Sequence, residues 1–382
     1  MEQQKPKMIY RKLGNTGLDV SVLSFGTWLT AHDDKAEDDI IECMKKAWEL
    51  GVNFFDTAEG YGAGVAETLL GKGLKAIGAP REDFVVSTKL FICGSGVNDK
   101  MLSRKHLVEG VKNSLKRLDL DYVDVIFCHR PDTQTPIDET CRAMDWIVEE
   151  GYAFYWATSE WTPDQIARAM EVCEKEDLNK PIADQCQYNG FYRENFEKNL
   201  RHSYENYKYG TTVWSPLAMG LLTGKYNSGE FPVGSRFHPD SEESKFDHWY
   251  FGKDVCCLGY EDEYYISNVN LLSSRRESAL ETCNKFTKIA EEVGCTSAQL
   301  GLAWVIVNRD TSTCIFGAKT PQQVEDNIGA LKVASKWTEE LEDKIEEALG
   351  NQPDPEMDYN TWAPKRPRRR VAIDYNMPNL NE

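Results

Sequence analysis

The sequence predicts a closed (β/α)8 barrel with an N-terminal β-hairpin, extra helices and a long insertion after strand 7. Three observations carry this. Short apolar runs alternate with segments of helical periodicity along nearly the whole chain. Eight such strand–helix units recur at intervals of roughly 30 residues, which favours a closed barrel over an open doubly wound sheet. The 382 residues are enough for one such domain with extensions. The repetition is one of topology; the segments do not repeat in sequence.

Each element has its own signal. Gly14 and Gly17 flank Asn15-Thr16 and predict a tight hairpin turn between 12 and 18. Residues 20–25 alternate apolar and polar and read as a strand. Ile40, Ile41, Met44, Ala47 and Trp48 recur at helical spacing over 37–50, and Gly51 stops that helix. Strand 54–56 is followed by helix 65–77, strand 84–89 by helix 104–118, and strand 122–128 by helix 137–150. Strand 153–158 leads to helix 163–173, with Pro163 at its start. Strand 182–187 leads to a helical stretch 194–207. Strand 211–215 opens the seventh unit, completed by helices 276–293 and 297–308. Strand 313–316 and helix 321–331 form the eighth, and a further helix is expected over 339–349.

Residues 226–276 interrupt the pattern. Phe237, Phe246, Trp249, Tyr250, Phe251, Tyr260, Tyr264 and Tyr265 are too many rings for a simple linker. A long loop in a compact domain usually serves function, so this one is expected to fold over the barrel mouth. An ordered excursion packed on itself or on a neighbouring subunit is the alternative. The barrel domain is taken as 1–351 and the tail as 352–382. The basic cluster Lys365, Arg366, Arg368, Arg369 and Arg370 reads as part of a solvated tail or one paired with the acidic body, with a nuclear signal or an acidic partner as the alternative.

The formal net charge of −18 disfavours nonspecific nucleic-acid binding and attachment to anionic lipid. The 11 cysteines are odd in number and form no CxxC pair, which fits free thiols in a reducing compartment. No apolar run approaches the roughly 18 residues of a membrane helix, and residues 1–7 lack an apolar signal core. The expected location is therefore cytoplasmic, without membrane insertion. The six histidines lie far apart and suggest no metal site.

Chemistry concentrates at successive strand ends, the end where a (β/α)8 barrel carries its active site. Asp56 ends the second strand, Tyr61 lies just beyond it, Lys89 ends the third and His129 follows the fourth. A lysine closing the apolar run 84–88 enters the barrel partly desolvated and needs an anion; Asp56 on the adjacent strand is the natural one. A cation about 4 Å from a phenol contributes roughly 4 kcal/mol at an effective dielectric of about 20. That raises the acidity of Tyr61 by at most about three powers of ten, before Asp56 cancels part of it, toward a useful general acid. His129 would bond the substrate oxygen or relay the proton. Singly, these residues also fit a structural ion pair, a packed tyrosine and a satisfied loop histidine. Their placement at one end of adjacent strands argues for a site. A (β/α)8 hydrolase using paired carboxylates would leave Lys89 and Tyr61 without a role.

At this point the segments Leu23-Ser24-Phe25-Gly26-Thr27-Trp28, Phe55-Asp56-Thr57-Ala58-Glu59-Gly60-Tyr61, Ser103-Arg104-Lys105-His106, Arg130-Pro131-Asp132, Tyr155-Trp156-Ala157-Thr158-Ser159, Trp214-Ser215-Pro216-Leu217 and Asn327-Ile328-Gly329-Ala330 carry a resemblance. The chain resembles the aldo-keto reductases, in the branch of the voltage-gated potassium channel β-subunits and related reductases, from about residue 9 to 351. The resemblance implies a nicotinamide cofactor, usually NADPH, held without a Rossmann domain. Consistently, no GxGxxG opens a helix after a strand; Gly71-Lys72-Gly73 lies within a helical pattern and reads as packing. It further implies Asp56, Tyr61, Lys89 and His129 as a catalytic tetrad, with hydride passing to a small-molecule carbonyl carbon as the tyrosine protonates the oxygen. Thr27, Trp28 and Asp56 would border the nicotinamide half, Ser159 and Gln187 would hold its carboxamide, and Trp214 would stack on its ring. Ser215, Pro216, Leu217, Lys225 and Arg236 would follow the pyrophosphate and beyond. Gly317, Lys319, Gln323, Asp326 and Asn327 would meet the adenosine end. Lys319 stands just before a helix start, where backbone N–H groups and a cation suit a 2′-phosphate and favour NADP over NAD. The relatives also imply a homo-oligomer, tetrameric or larger, and a second reading: a regulatory subunit docked on the cytoplasmic domain of a cation channel, using NADP as a redox sensor. Three features depart from the pattern. His129 stands where animal channel subunits carry asparagine. Glu160 stands where relatives often have arginine or asparagine, and no binding role is carried onto it. The insertion 237–276 has no alignable counterpart.

Overall fold

A hairpin of β1 (Tyr10–Lys12) and β2 (Asp19–Ser21) opens the chain, with Tyr10 opposite Ser21. The computed structural model describes residues 7–28, 37–233, 235, 238, 276–355 and 357–364. The strand expected over 20–25 is in fact two. It breaks at Val22, whose N–H donates to the Ile9 carbonyl at 2.9 Å, and β3 (Leu23–Gly26) begins beyond it. The hairpin packs Leu13, Leu18 and Val20 against Phe54, Val85, Val125, Phe127, Ala157 and Ala183. It therefore closes the N-terminal end of the barrel with apolar side chains, and the break lets the chain turn from that plug into the wall.

The wall follows in order: α1 (Glu37–Glu49), β4 (Phe54–Asp56), α2 (Val65–Ile77), β5 (Val85–Leu90), α3 (Arg104–Leu118), β6 (Val123–Cys128), α4 (Ile137–Glu149), β7 (Ala153–Ser159), α5 (Pro163–Glu176), β8 (Ala183–Gln187), α6 (Arg201–Tyr207), β9 (Gly210–Trp214), α7 (Arg276–Val293), α8 (Ser297–Ile306), β10 (Thr313–Phe316), α9 (Pro321–Ile328), α10 (Ala330–Ala334) and α11 (Glu339–Leu349). Strands β3 to β10 are parallel and close into a barrel, β10 pairing with both β3 and β9. Caps fix several helix starts: Ser103 accepts from His106 N at 3.2 Å, and Thr162 and Gln165 form a capping box ahead of α5. The Gly71/Gly73 pair is a packing device, as expected. A Cβ at Gly71 would lie 2.1 Å from the Leu118 carbonyl oxygen, and one at Gly73 would lie 2.2 Å from Met44 Sδ. Among the described residues no helix is long and apolar enough to cross a membrane.

Three other expectations change in detail. The stretch 194–207 is a π turn, Asn195–Asn199, followed by α6. The expected helix 321–331 divides into α9 and α10 at Gly329, whose N–H is shared between the Glu325 and Asp326 carbonyls at 3.1 Å each. Residues after Gly350, read as tail, include a small hairpin of β11 (Met357–Asp358) and β12 (Ala363–Pro364). The expected lid, apart from its first residues to 233 and positions 235 and 238, lies outside the described residues, as do Arg236 and the basic cluster 365–370.

The π turn brings Glu197 inward. Arg193 Nε and Nη2 donate to Glu197 Oε1 and Oε2 at 2.9 and 3.0 Å. The same guanidinium reaches Glu346 of α11 through Nη1 and Nη2, at 2.9 and 3.0 Å. Arg193 and Glu197 are both buried. Removing one partner of a buried pair strands the other charge without water. Arg193→Ala should therefore lower unfolding free energy by about 3–5 kcal/mol, read as a fall in urea midpoint. A loss below about 1 kcal/mol, the value of an exposed pair, would show that α11 is not held this way.

Candidate active site

The inward positions of the barrel change character along its axis. The lower layer is apolar, while the C-terminal layer holds Asp56, Ser87, Lys89 and Gln185, all buried. Register does this: Asp56 pairs with Ser87, and two residues further Lys89 faces the same way. Lys89 Nζ donates to Asp56 Oδ2 at 2.5 Å, to the Thr57 carbonyl at 2.7 Å and to Tyr61 Oη at 3.3 Å. An ammonium has three donors, and here each meets an oxygen. The other carboxylate oxygen, Asp56 Oδ1, accepts from Ser87 Oγ at 2.7 Å and Gln185 Nε2 at 3.2 Å.

Tyr61 opens the short turn Tyr61–Gly64 after β4. Its ring meets Trp28 edge-on at 4.7 Å between centroids and His129 at 5.5 Å. His129 directly follows β6, anchored by its N–H to the Leu90 carbonyl at 3.0 Å. Thr27 Oγ1 donates to Thr57 Oγ1 at 2.9 Å beneath them. The four residues expected to act together are thus in one cluster.

The expected electrostatics of Tyr61 are reversed. Burial pushes its hydroxyl above the ordinary value, the Asp56 carboxylate adds to this, and only Arg130 opposes. Lys89 does not dominate because its charge is already matched by Asp56. Burial lowers Lys89, with Asp56 holding it up in part. Burial, then Arg130 and Lys89, hold His129 well below the usual imidazole range, so it is neutral. Because Tyr61 Oη accepts from Lys89, its own proton is left for an acceptor in the mouth.

Beside this cluster lie the ends of β7, β8 and β9. Ser159 Oγ donates to the Gln185 carbonyl at 2.9 Å. Gln187 Nε2 is buried with no hydrogen-bond partner among the described residues. A buried amide donor in that condition fits an acceptor arriving from a ligand, such as a carboxamide oxygen. Trp214 ends β9, and Ser215, Pro216 and Leu217 follow; Ser215 sits at φ +52° with its carbonyl accepting from Asn189 Nδ2 at 3.0 Å. Lys225 is exposed, its ammonium 4.7 Å from the centroid of the Tyr226 ring. Gly317 and Lys319 follow β10, where Lys319 N donates to Gln323 Oε1 at 2.7 Å and Gln323 N to Thr320 Oγ1 at 3.3 Å. Asp326 is exposed and accepts from Gln322 Nε2 at 3.1 Å, while Asn327 is buried. These residues line the same barrel end, farther along its rim. Arg236 lies outside the described residues.

Four neighbours were not foreseen as part of the site. Ser87 and Gln185 bond Asp56, and each lies two residues before a foreseen residue on the same strand, so the two-residue period would have found them. Arg130 Nη1 donates to the His129 carbonyl at 2.6 Å and to Ser159 Oγ at 3.0 Å. Glu160, to which no role was carried, accepts from Gln187 N at 2.6 Å and Trp214 Nε1 at 2.8 Å. No periodicity announces these last two, because both follow strand ends.

Comparison with known proteins agrees with this geometry. Residues 22–349 match the Aldo/keto reductase family. The chain is 43% identical over 349 residues to a probable voltage-gated potassium channel subunit beta of Arabidopsis thaliana, covering 91% of this chain and 98% of that one. A protein of the same description from Oryza sativa subsp. japonica is 42% identical over 91% of this chain and 98% of its own length. A putative voltage-gated potassium channel subunit beta of Schizosaccharomyces pombe is 41% identical, over 91% and 96%. The barrel, its C-terminal cluster and a match across most of the chain place this protein in the aldo/keto reductase family.

Proposed function

We propose that this protein is an NADP(H)-dependent carbonyl reductase acting on small aldehydes or ketones. The observation that supports this most is the Asp56–Lys89–Tyr61 chain, in which a buried ammonium bonds Tyr61 Oη at 3.3 Å and leaves the phenol proton to donate. Bound along the rim, the nicotinamide would supply hydride to the carbonyl carbon. Tyr61 gives its proton to the carbonyl oxygen, and solvent restores it afterwards. Lys89 steadies the negative charge that grows on Oη, and Asp56 holds Lys89 in place. Neutral His129 offers a ring N–H to the same oxygen, and Trp28 walls the cluster from water. Gln187 and Ser159 hold the carboxamide, and Trp214 supplies a stacking face. Ser215, Pro216, Leu217, Lys225 and Arg236 serve the pyrophosphate; Gly317, Gln323, Asp326 and Asn327 serve the adenosine end. Lys319, at the start of α9, takes the 2′-phosphate.

A second reading is a regulatory subunit that docks as a cytoplasmic homo-oligomer on the cytoplasmic domain of a cation channel. The names of the three relatives favour it. Capture of a channel tetramerisation domain by the intact protein, together with absence of aldehyde turnover, would favour it over the first.

Three outcomes follow from the reductase reading. Tyr61→Phe should lower aldehyde-dependent NADPH oxidation at least about 100-fold while leaving the NADPH dissociation constant within about twofold; an active variant would remove Tyr61 from the proton's path. Lys319→Ala should weaken NADPH about tenfold, the value of one charge-assisted bond, and leave NADH unchanged; equal weakening of both would move the 2′-phosphate elsewhere. His129 is held below 6.5, so it stays neutral as pH falls through that value, and Tyr61 is raised, so it stays protonated as pH rises. The reduction rate should therefore be flat from about pH 6 to about pH 8, with an alkaline decline as Lys89 loses its proton below its ordinary 10.5. A limb centred near pH 6.5 in the rate profile would contradict a neutral His129.

A further inference from the structure

Two opposite charges bracket the residues assigned to the nicotinamide. Glu160 follows β7 at φ +56°, and this left-handed turn directs its carboxyl group across the ends of β8 and β9. Glu160 Oε1 accepts from the Trp214 indole N–H at 2.8 Å and from Gln187 N at 2.6 Å. On the other side Arg130 lies over the same indole, with Cζ 5.8 Å from the ring centroid, and holds Ser159 Oγ at 3.0 Å. Gln187 and Ser159 therefore each touch one of the two charges, and Trp214 touches both. Neither group is assigned a contact with the reacting carbonyl, and Arg130 bears on the proton step only through its field on Tyr61 and His129.

The two redox forms of a nicotinamide differ by one positive charge on the ring: the oxidised form is cationic there and the reduced form neutral. A fixed charge in the wall of that site changes the two affinities unequally. We propose that Glu160 and Arg130 set the redox selectivity of the nucleotide site, Glu160 favouring NADP+ and Arg130 favouring NADPH. The inference rests on the nucleotide reading above. Even over about 10 Å, one charge acting through an effective dielectric of about 20 changes an equilibrium by roughly tenfold. Burial raises the Glu160 carboxyl, while Arg130 and the two N–H donors oppose that rise and favour the carboxylate. Asp184, whose Oδ2 accepts the Glu160 N–H at 3.2 Å, is pushed up to about 7 by burial and by Glu160. Measurements at pH 8 lie above the Asp184 value.

The test is the ratio of dissociation constants for NADP+ and NADPH, read by tryptophan fluorescence on the full chain. In Glu160→Gln, which keeps an acceptor oxygen for Trp214 and Gln187, the NADP+/NADPH ratio should rise about tenfold. In Arg130→Gln it should fall by a similar factor. Each tenfold change equals about 30 mV in the potential of the bound nucleotide, upward for Glu160→Gln and downward for Arg130→Gln. A role confined to building the pocket would weaken both forms in step, and ratios unchanged within about twofold in both variants would overturn the proposal. Should Glu160→Gln fail to fold, the Arg130→Gln ratio decides in the same terms. If the unaltered protein binds neither nucleotide, the nucleotide reading falls and takes this inference with it; nucleotide binding with unchanged ratios overturns this inference alone.

Discussion

The buried ammonium of Lys89 is the constraint around which the C-terminal half of the barrel is arranged. A charge taken fully out of water is unfavourable by several kcal/mol unless its hydrogen bonds are replaced. Lys89 has three, and they are replaced by a carboxylate, a backbone carbonyl and a phenol at 2.5, 2.7 and 3.3 Å. The carboxylate in turn needs Ser87 and Gln185, which gives the polar layer at the strand ends its composition. Ordering one cation thus orders residues from β4, β5, β8 and the turn after β4. The phenol joins this layer last and is the member that faces the mouth.

This layer stands on an apolar one. Phe54, Val85, Val125 and Phe127 fill the barrel below it, and the hairpin seals the far end with Leu13 and Val20. Two further buried acids bond the elements around the site, Glu67 through both carboxylate oxygens and Glu59 through Oε1. Glu59 accepts from Phe91 N at 2.6 Å and lies 2.8 Å from His106 Nε2, while Glu67 accepts from Thr88 Oγ1 at 2.5 Å and Arg117 Nε at 2.6 Å. The segment from 56 to 67 therefore carries acids that tie β4 and α2 to β5 and α3. The same segment presents Tyr61, so the rigidity of the wall is passed to the phenol through short covalent links.

Much of this was legible in the sequence for physical reasons. Strands buried on both faces must be apolar runs, and helices on the outside must alternate faces every three to four residues, so 54–56, 65–77 and 104–118 announced themselves. Asp56, Lys89 and His129 were legible because a polar or charged residue that closes a buried apolar run must either meet a partner there or line a site. What local pattern does not encode was missed. The split at Val22 goes with a bond to the Ile9 carbonyl, and the inward turn of Glu197 and Arg193 goes with Glu346, far along the chain. The acidity of Tyr61 was misjudged because a pairwise cation was weighed without the desolvation that comes with closing the barrel. Arg130 and Glu160 follow strand ends, where direction is set by the left-handed turn at Glu160 and by neighbours distant in sequence.

Closure of the ring also bears on how the chain is made. The first wall strand, β3, finds one neighbour in β4 and the other only in β10, and Thr313 Oγ1 donates to the Ser21 carbonyl at 2.6 Å across 292 positions. Until residue 316 has left the ribosome, β3 and β9 each present an open edge, the kind of surface that recruits other strands. The Arg193 guanidinium must wait longer still, since its second carboxylate, Glu346, lies 153 positions downstream. Chains released before that point would carry every part of the Lys89 cluster and still lack β10, the last strand of the wall, or α11. Synthesis from the N-terminus thus leaves the half that holds the Lys89 cluster waiting on the C-terminal one.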